Sequence, residues 1–247
     1  MPTFAVILPA AGNSSRFHDP YYKKPFAPLG DRAVWLHCAE KFINRDDVKQ
    51  LIVVISPDDR EDFDMKFGAN VAILGIDVVE GGAERWQSVK NAVSRVQPDV
   101  EFVAVHDAAR PCLANEWIDQ VFQAAETSGA AMLAVPVTAT LKRVDANNMI
   151  VETVSRKDLW EAQTPQVFRR DLLIEAYAKP SDDPPATDDA ELVQRLGHPV
   201  AVVTGSPINL KITTQEDLRL ASLAIKALPK PRLDGPTHPF ADDDLFR

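Results

Sequence analysis

The chain has 247 residues, a net charge of −9 and two cysteines. That length accommodates one large α/β domain with a full core, or two small domains, and an acidic balance without a basic block argues against a nucleic-acid binder. Cys38 and Cys112 stand outside any C-x-x-C or Cys/His spacing, which excludes a disulfide framework and a structural zinc site. No stretch is apolar for long enough to span a bilayer, and the N-terminus lacks the basic start and long apolar run of a signal peptide, so the expected compartment is the cytoplasm and no membrane partner is expected.

Short runs rich in Val, Ile and Ala occur at residues 4–8, 51–55, 71–74, 102–105, 132–135 and 200–203. Their lack of polar alternation predicts strands covered on both faces. Between them, amphipathic periods predict helices over 33–43, 58–67, 85–96, 115–127, 188–196 and 215–226. The alternation reads as βαβ units around a mainly parallel sheet, and right-handed crossovers would place helices on both faces. Residues 138–154 break the rhythm: two alternating runs flank Asp145-Ala146-Asn147-Asn148, which predicts a projecting β-hairpin. A lone hairpin is barely stable in water, so it should pack on something, a second subunit being one candidate. Three prolines make 179–187 a loop, and 229–247, with four prolines and Asp242-Asp243-Asp244, reads as a disordered tail after a domain spanning 1–228.

In an open α/β sheet, ligands bind beyond the carboxyl ends of the strands. The first such segment is Pro9-Ala10-Ala11-Gly12-Asn13-Ser14-Ser15-Arg16, with Lys23 and Lys24 following. Small residues allow close backbone approach to a phosphate, and Arg16 and a lysine supply charge. The spacing matches neither G-x-G-x-x-G nor a Walker A loop, and a dehydrogenase is thereby excluded. Gly81-Gly82 permits a sharp turn before Ser88, which falls in the first turn of a helix. After the 102–105 strand, His106-Asp107-Ala108-Ala109-Arg110-Pro111 places a carboxylate where Mg²⁺ could be held through oxygen; pairing of Asp107 with Arg110 in a loop is the plainer reading. Lys211 interrupts an apolar run and needs an anion or water for its head. Thr213 or Thr214 reads as the N-cap of the last helix.

Taken in order, P-A-A-G-x-x-x-R, the lysine before Pro25-Phe26, G-G-x-x-R-x-x-S, H-D-A-A-R-P, V-x-x-T-x-K-R, Q-T-P-Q-x-F and N-x-K-I-T-x-x-E-D-L resemble the 2-C-methyl-D-erythritol 4-phosphate cytidylyltransferase family of non-mevalonate isoprenoid biosynthesis. The resemblance spans residues 4–225. It implies a Rossmann-like nucleotidyltransferase fold, CTP and a sugar-alcohol phosphate as substrates, Mg²⁺ as cofactor, and a homodimer built by the hairpin arm. It further implies that Ala10, Ala11 and Gly12, with Arg16 and Lys24, hold the triphosphate. Gly82 and Ser88 would read the cytosine, Ala108 would lie against the ribose, and Asp107 would help place Mg²⁺. Lys211 would bridge toward the α-phosphate and the incoming phosphate, and Arg110, Thr140, Arg156 and Thr187 would bind the acceptor, Thr140 and Arg156 reaching the neighbouring subunit's site.

The chain also departs from that pattern. Ser14 stands where the family carries a second loop glycine, and Phe17-His18 replace its usual ending; Ser14 either offers its hydroxyl to a phosphate or marks a different loop path. Ala83 replaces a common Asp. Of the two adjacent lysines, Lys24 directly precedes the Pro-Phe pair and is the one assigned. Ribitol- or glycerol-phosphate cytidylyltransferases share most of these motifs and are the nearest alternative. A non-catalytic nucleotide-binding domain is a remoter one, disfavoured by retention of Arg16, Lys24, Asp107 and Lys211.

Overall fold

The computed structural model describes residues 1–19, 21–179 and 186–229. Residues 180–185 of the expected loop, and the expected tail from 230 onward, lie outside the described residues. The chain opens with β1 (Phe4–Pro9), a small hairpin of β2 (Pro28–Leu29) and β3 (Arg32–Ala33), and α1 (Val34–Ile43). Then come β4 (Val48–Ile55), α2 (Arg60–Leu74), β5 (Asp77–Glu80), α3 (Arg85–Val93), β6 (Phe102–Val105), α4 (Asn115–Ser128) and β7 (Ala130–Pro136). A hairpin of β8 (Leu141–Val144) and β9 (Ile150–Val154) precedes β10 (Trp160–Arg169), α5 (Arg170–Ala178), α6 (Asp189–Gln194), β11 (Ala201–Thr204) and α7 (Gln215–Ala224).

Seven strands form one sheet in the order β11-β7-β10-β6-β1-β4-β5. All neighbours run parallel except β10, which is antiparallel to both β6 and β7. From β1 the chain first builds outward through β4 to β5, then returns to place β6 on the other side of β1. That reversal makes the carboxyl end of β1 a switch point, where the flanking connections diverge and leave a crevice.

β1 is apolar throughout because both of its faces are covered. Phe4, Val6 and Leu8 join one core with side chains of α1, α2 and α4, whereas Ala5 and Ile7 join a second core with α3, α5 and α6. The helices therefore lie on both faces, as the sequence predicts. A third, smaller cluster around Val34, Cys112, Ile212 and Ala221 anchors α7 and the segment before it.

Two expectations fail. Residues 71–74 are not a strand but the last turn of α2, which Gly75 ends in the left-handed conformation (φ 63°). No proline falls between Arg60 and Gly75, and Gly68 lies inside α2 without breaking it, so four consecutive apolar residues simply continue the helix. The strand comes next, as Asp77-Val78-Val79-Glu80, whose polar ends reflect its place at the sheet edge. β10 and α5 are absent from the sequence-based expectation. Pro165 interrupts the β10 run, and the pairing with β7 shifts register between Ala162 and Gln166.

The expected hairpin is present as a separate two-stranded sheet. Its turn is held by Asp145, whose Oδ1 accepts from the backbone N–H groups of Asn147 and Met149 at 2.8 and 2.9 Å. Val144, Met149, Ile150 and Val151 are exposed along it.

Gln166 of β10 shows how the sheet fixes the far side of the molecule. It is 1% exposed; its Nε2 donates to Asp188 Oδ2 (2.9 Å) and its Oε1 accepts from Ala190 N (2.9 Å), clamping the start of α6. Replacing it by leucine leaves buried polar groups without partners, and we expect Gln166→Leu to lower unfolding free energy by about 2 kcal/mol or more, read from the urea denaturation midpoint.

Candidate active site

Three strand ends converge on the crevice. The loop after β1 is fixed at its root by Ala10 N–H donating to Val54 O (2.7 Å), the turn after β5 by Gly81 N–H to Ile55 O (2.8 Å), and the loop after β6 by His106 N–H to Ile7 O (2.9 Å). A cleft of about 180 Å³ opens between them, lined by Ala10, Ala11, Gly12, Lys24, Gly82, Arg85, Ser88, Asp107, Ala108 and Lys211 among others. Gly81 is required by close approach: a Cβ there would lie 2.7 Å from Ser88 Oγ and 2.8 Å from Ala11 Cβ. Ser88 is 3% exposed. Its Oγ accepts from Gly82 N (3.1 Å) and donates to Glu84 O (3.1 Å), which ties the glycine turn to the first turn of α3.

Asp107 is the centre of the charge arrangement. Its Oδ2 lies 2.8 Å from Lys211 Nζ and 3.3 Å from Arg110 Nε. Burial alone would raise its pKa, but Lys211, Arg85 and Arg110 outweigh that and hold the carboxyl well below the usual range. The apolar run around Lys211 is thereby explained: the lysine head has its anion. Ile212 N–H donates to Ala109 O (2.8 Å), locking the lysine segment onto the 106–111 loop, and Thr214 caps α7 with Asp217 returning the bond. Lys24 is driven down in pKa first by burial and then by Lys211 and Arg16, with Asp107 opposing. The site thus concentrates positive charge that an anionic ligand would relieve.

Of the two adjacent lysines, Lys24 faces this cleft, while Lys23 turns away and pairs with Asp59 at 2.8 Å. Arg16 is exposed in the turn beside the cleft and does not line it. The Ser14 hydroxyl bonds within its own loop: it accepts from Lys24 N–H at 3.1 Å and donates to Gly12 O at 3.4 Å.

Arg85 falls within the G-G-x-x-R-x-x-S motif, yet the sequence assigns it no role. It lines the cleft and its Nη2 lies 2.7 Å from Asp189 Oδ2, a carboxylate that is fully buried and also accepts from Tyr177 Oη. Burial opposes its charge, yet Asp189 and Asp107 raise its pKa. The available signal was a charged residue at the first position of a helix that follows a glycine turn.

A second cleft, about 350 Å³, adjoins the first through the shared Lys211 and is lined by Arg110, Thr138, Gln163, Asn209 and others. Arg110 is locked there: Nη1 donates to Asn209 O (2.7 Å). Thr140 and Arg156 are exposed on the arm side, Arg156 donating to Thr138 O, and Thr187 is exposed beside α6, donating to Glu191. None of these three lines either cleft in the single chain. Among the described residues no cluster of three or more Asp, Glu, His or Cys side chains is arranged around a metal position, and no helix is long and apolar enough to cross a membrane.

His106 is buried, with Nε2 donating to Arg110 O (3.1 Å) and Nδ1 3.1 Å from Thr164 Oγ1. Thr164 Oγ1 in turn accepts from Asp107 N–H (3.0 Å). A neutral imidazole satisfies this chain, with Nδ1 accepting the Thr164 proton.

A family model for 2-C-methyl-D-erythritol 4-phosphate cytidylyltransferase matches residues 4–227. The enzyme of that name from Rhodopirellula baltica is 41% identical over 228 residues, covering 88% of this chain and 92% of its own. That of Pelotomaculum thermopropionicum is 39% identical over 229 residues, covering 92% and 96%. The crystal structure of 2-C-methyl-D-erythritol 4-phosphate cytidylyltransferase from Thermus thermophilus superposes with a TM-score of 0.74 at 32% identity, covering 92% of this chain and all (100%) of that one. A crystal structure of 4-diphosphocytidyl-2C-methyl-D-erythritol synthase gives 0.77 at 30% identity, covering 91% and 99%.

Burial lowers the His106 pKa to about 4, so the unfolded chain binds a proton below pH ~6.5 that the folded chain refuses. Stability should therefore fall as pH drops from about 6.5 to about 4. In His106→Gln this segment of the pH–stability curve should flatten, measured by urea unfolding across that range; an unchanged slope would place the titration elsewhere.

Proposed function

Because the chain belongs to the 2-C-methyl-D-erythritol 4-phosphate cytidylyltransferase family, we propose that its two adjoining clefts hold CTP and the acceptor phosphate on either side of Lys211. The reaction converts CTP and 2-C-methyl-D-erythritol 4-phosphate to 4-diphosphocytidyl-2-C-methyl-D-erythritol and pyrophosphate. An oxygen of the acceptor's phosphate monoester attacks the α-phosphorus of CTP. The new P–O bond forms as the bond to the β-phosphate's bridging oxygen breaks, and pyrophosphate departs. The nucleophile is already ionised, so no general base is needed, which agrees with the neutral, fully bonded His106.

The observation that carries this reading is the convergence of Lys24, Lys211, Arg85 and Asp107 on one cleft at the carboxyl ends of β1 and β6. Two anions must meet and negative charge must grow on the transferring group. Cations already gathered in a partly buried site stabilise that charge with little reorganisation. The backbone of Ala10, Ala11 and Gly12 lines the triphosphate side with Lys24, and Arg16 adds charge from outside the lining. Gly82 and Ser88 form the turn against which the cytosine would sit, and Ala108 the wall for the ribose. Lys211 lies between the clefts, placed to neutralise both the α-phosphate and the incoming phosphate.

Asp107 fits a Mg²⁺ site of the kind small divalent ions prefer, in which one protein carboxylate is completed by substrate phosphate and water oxygens. Bound there, Mg²⁺ would neutralise the triphosphate. Arg110, anchored between β10 and the 209 segment, forms the acceptor cleft. Thr140, Arg156 and Thr187 complete the acceptor side in our reading, Thr140 and Arg156 from the hairpin of a second subunit. The exposed apolar residues of that hairpin support a homodimer.

Lys24→Ala and Lys211→Ala should each reduce turnover by about 10²-fold or more, measured as pyrophosphate release with CTP, Mg²⁺ and the methylerythritol phosphate. A clear preference for ribitol 5-phosphate in the same assay would reassign the acceptor. If the acceptor side is shared between subunits, mixing inactive Arg156→Ala with inactive Lys211→Ala, after dissociation and reassociation, should restore activity well above either parent. A mixture no more active than its parents would rule out a shared site.

A further inference from the structure

The loop between β1 and Lys24 contains a left-handed residue that is not glycine and whose side chain spans the loop. Ser14 has φ 52°, a region that ordinary L-residues avoid and glycine enters freely. A serine there keeps its place against an intrinsic backbone cost, so its side chain is the natural place to look for a compensating contact. Its hydroxyl accepts from the backbone N–H of Lys24 at 3.1 Å and donates to the carbonyl of Gly12 at 3.4 Å. Gly12 and Lys24 both line the CTP-side cleft, from opposite ends of the loop.

The outer side of the same segment is held independently. Lys23 Nζ meets Asp59 Oδ2 at 2.8 Å, with both side chains largely buried (30% and 17% exposed). Pro25 lies within a 3-10 turn (Lys24–Phe26), and Phe26 packs against Phe63 and Phe67 of α2. Adjacent lysines therefore leave the backbone on opposite sides, and the peptide between them is gripped from both. On the cleft side, the Ser14 hydroxyl is the side chain that makes the grip.

We propose that Ser14 is a positioning residue for Lys24: its hydroxyl closes the loop from Gly12 to Lys24 and so fixes where the lysine ammonium meets the triphosphate. The proposal rests on the reading of Lys24 as a triphosphate-binding charge. It predicts that the hydroxyl matters, and not merely the backbone conformation. Removing one such bond loosens the ammonium by a few tenths of an ångström to an ångström, enough to weaken a charge contact that must be made in the transition state.

The test uses the full chain with CTP, Mg²⁺ and the acceptor. Ser14→Ala removes the hydroxyl and keeps the strained backbone; Ser14→Gly removes both. Both should lower kcat/KM for CTP roughly five- to tenfold, the scale of one net hydrogen bond, with KM for the acceptor unchanged. Ser14→Asn, whose amide oxygen can accept from Lys24 N–H and whose backbone tolerates the left-handed region, should recover most of the loss. In a double-mutant cycle, Ser14→Ala should add nothing to Lys24→Ala. Normal activity in both Ser14→Ala and Ser14→Gly overturns the proposal, as does a normal Ser14→Gly beside an impaired Ser14→Ala, or full additivity with Lys24→Ala. Those outcomes, with Lys24→Ala itself impaired, sink the proposal alone; a normal Lys24→Ala sinks the reading of Lys24 and the proposal with it.

Discussion

A buried carboxylate that keeps its charge organises this molecule. Asp107 sits at the end of β6 with 8% of its surface exposed, where an isolated charge would be too costly to hold. It remains ionised because Lys211 and Arg110 are in contact and Arg85 lies within electrostatic reach. The three cations come from three separated segments: the first turn of α3, the loop after β6, and the stretch before α7. The pairing therefore does more than neutralise a charge. It requires that α3, the loop after β6 and the 209–213 segment meet at one place, and the bonds of Arg110 Nη1 to Asn209 O and of Ile212 N–H to Ala109 O record the meeting of the last two. Replacing such a cluster by apolar groups could well preserve stability; what the charges supply is a positive surface assembled before any ligand arrives.

The sheet topology supplies the place. β1 is the strand flanked by the two directions of winding, and its carboxyl end is where the chain leaves for the Ala10–Lys24 loop. Both cores grip β1, so the loop starts from a rigid base. The net charge of −9 does not oppose anion binding there. Charges beyond about 8–10 Å are screened at physiological salt, whereas the site's own lysines and arginines lie within a few ångströms of one another.

Much of this was legible in the chain. β6 begins and ends where its apolar run does, and the hairpin turn at Asp145–Asn148 follows from side chains that hydrogen-bond their own backbone. What the sequence hides is what depends on position in the sheet. Val71–Leu74 and Val78–Val79 are both short apolar runs; only the continuity of α2 up to Gly75 decides that the first is helix, and only an edge position explains why the second carries charged neighbours. β10 looks unlike a strand because Pro165 and its polar neighbours serve the site: Gln163, Thr164 and Gln166 turn their side chains to Asn209, His106 and α6. Arg85 was visible as a residue but not as a site member, since its partner Asp189 lies 104 positions away. Thr140 and Arg156 lie beyond what a single chain can place, because their expected target is another copy.

The arrangement around Asp107 also bears on how a substrate could be accepted without penalty. In the proposed reaction Lys211 must turn at least part of its charge toward phosphate oxygens. Were it the only partner of Asp107, that would leave a buried carboxylate uncompensated, a loss of several kcal/mol. Arg110 and Arg85 remove this obstacle. Both are held by other bonds, to Asn209 and to Asp189, so they stay in place while Lys211 shifts. A divalent cation on Asp107 would work in the same direction, releasing the lysine further. The surplus of cations over carboxylates in the cleft is thus what allows one of them to be mobile. The residue best suited to that role is Lys211, because it lines both clefts and carries the flexible, point-like charge that can follow a phosphate through the transfer.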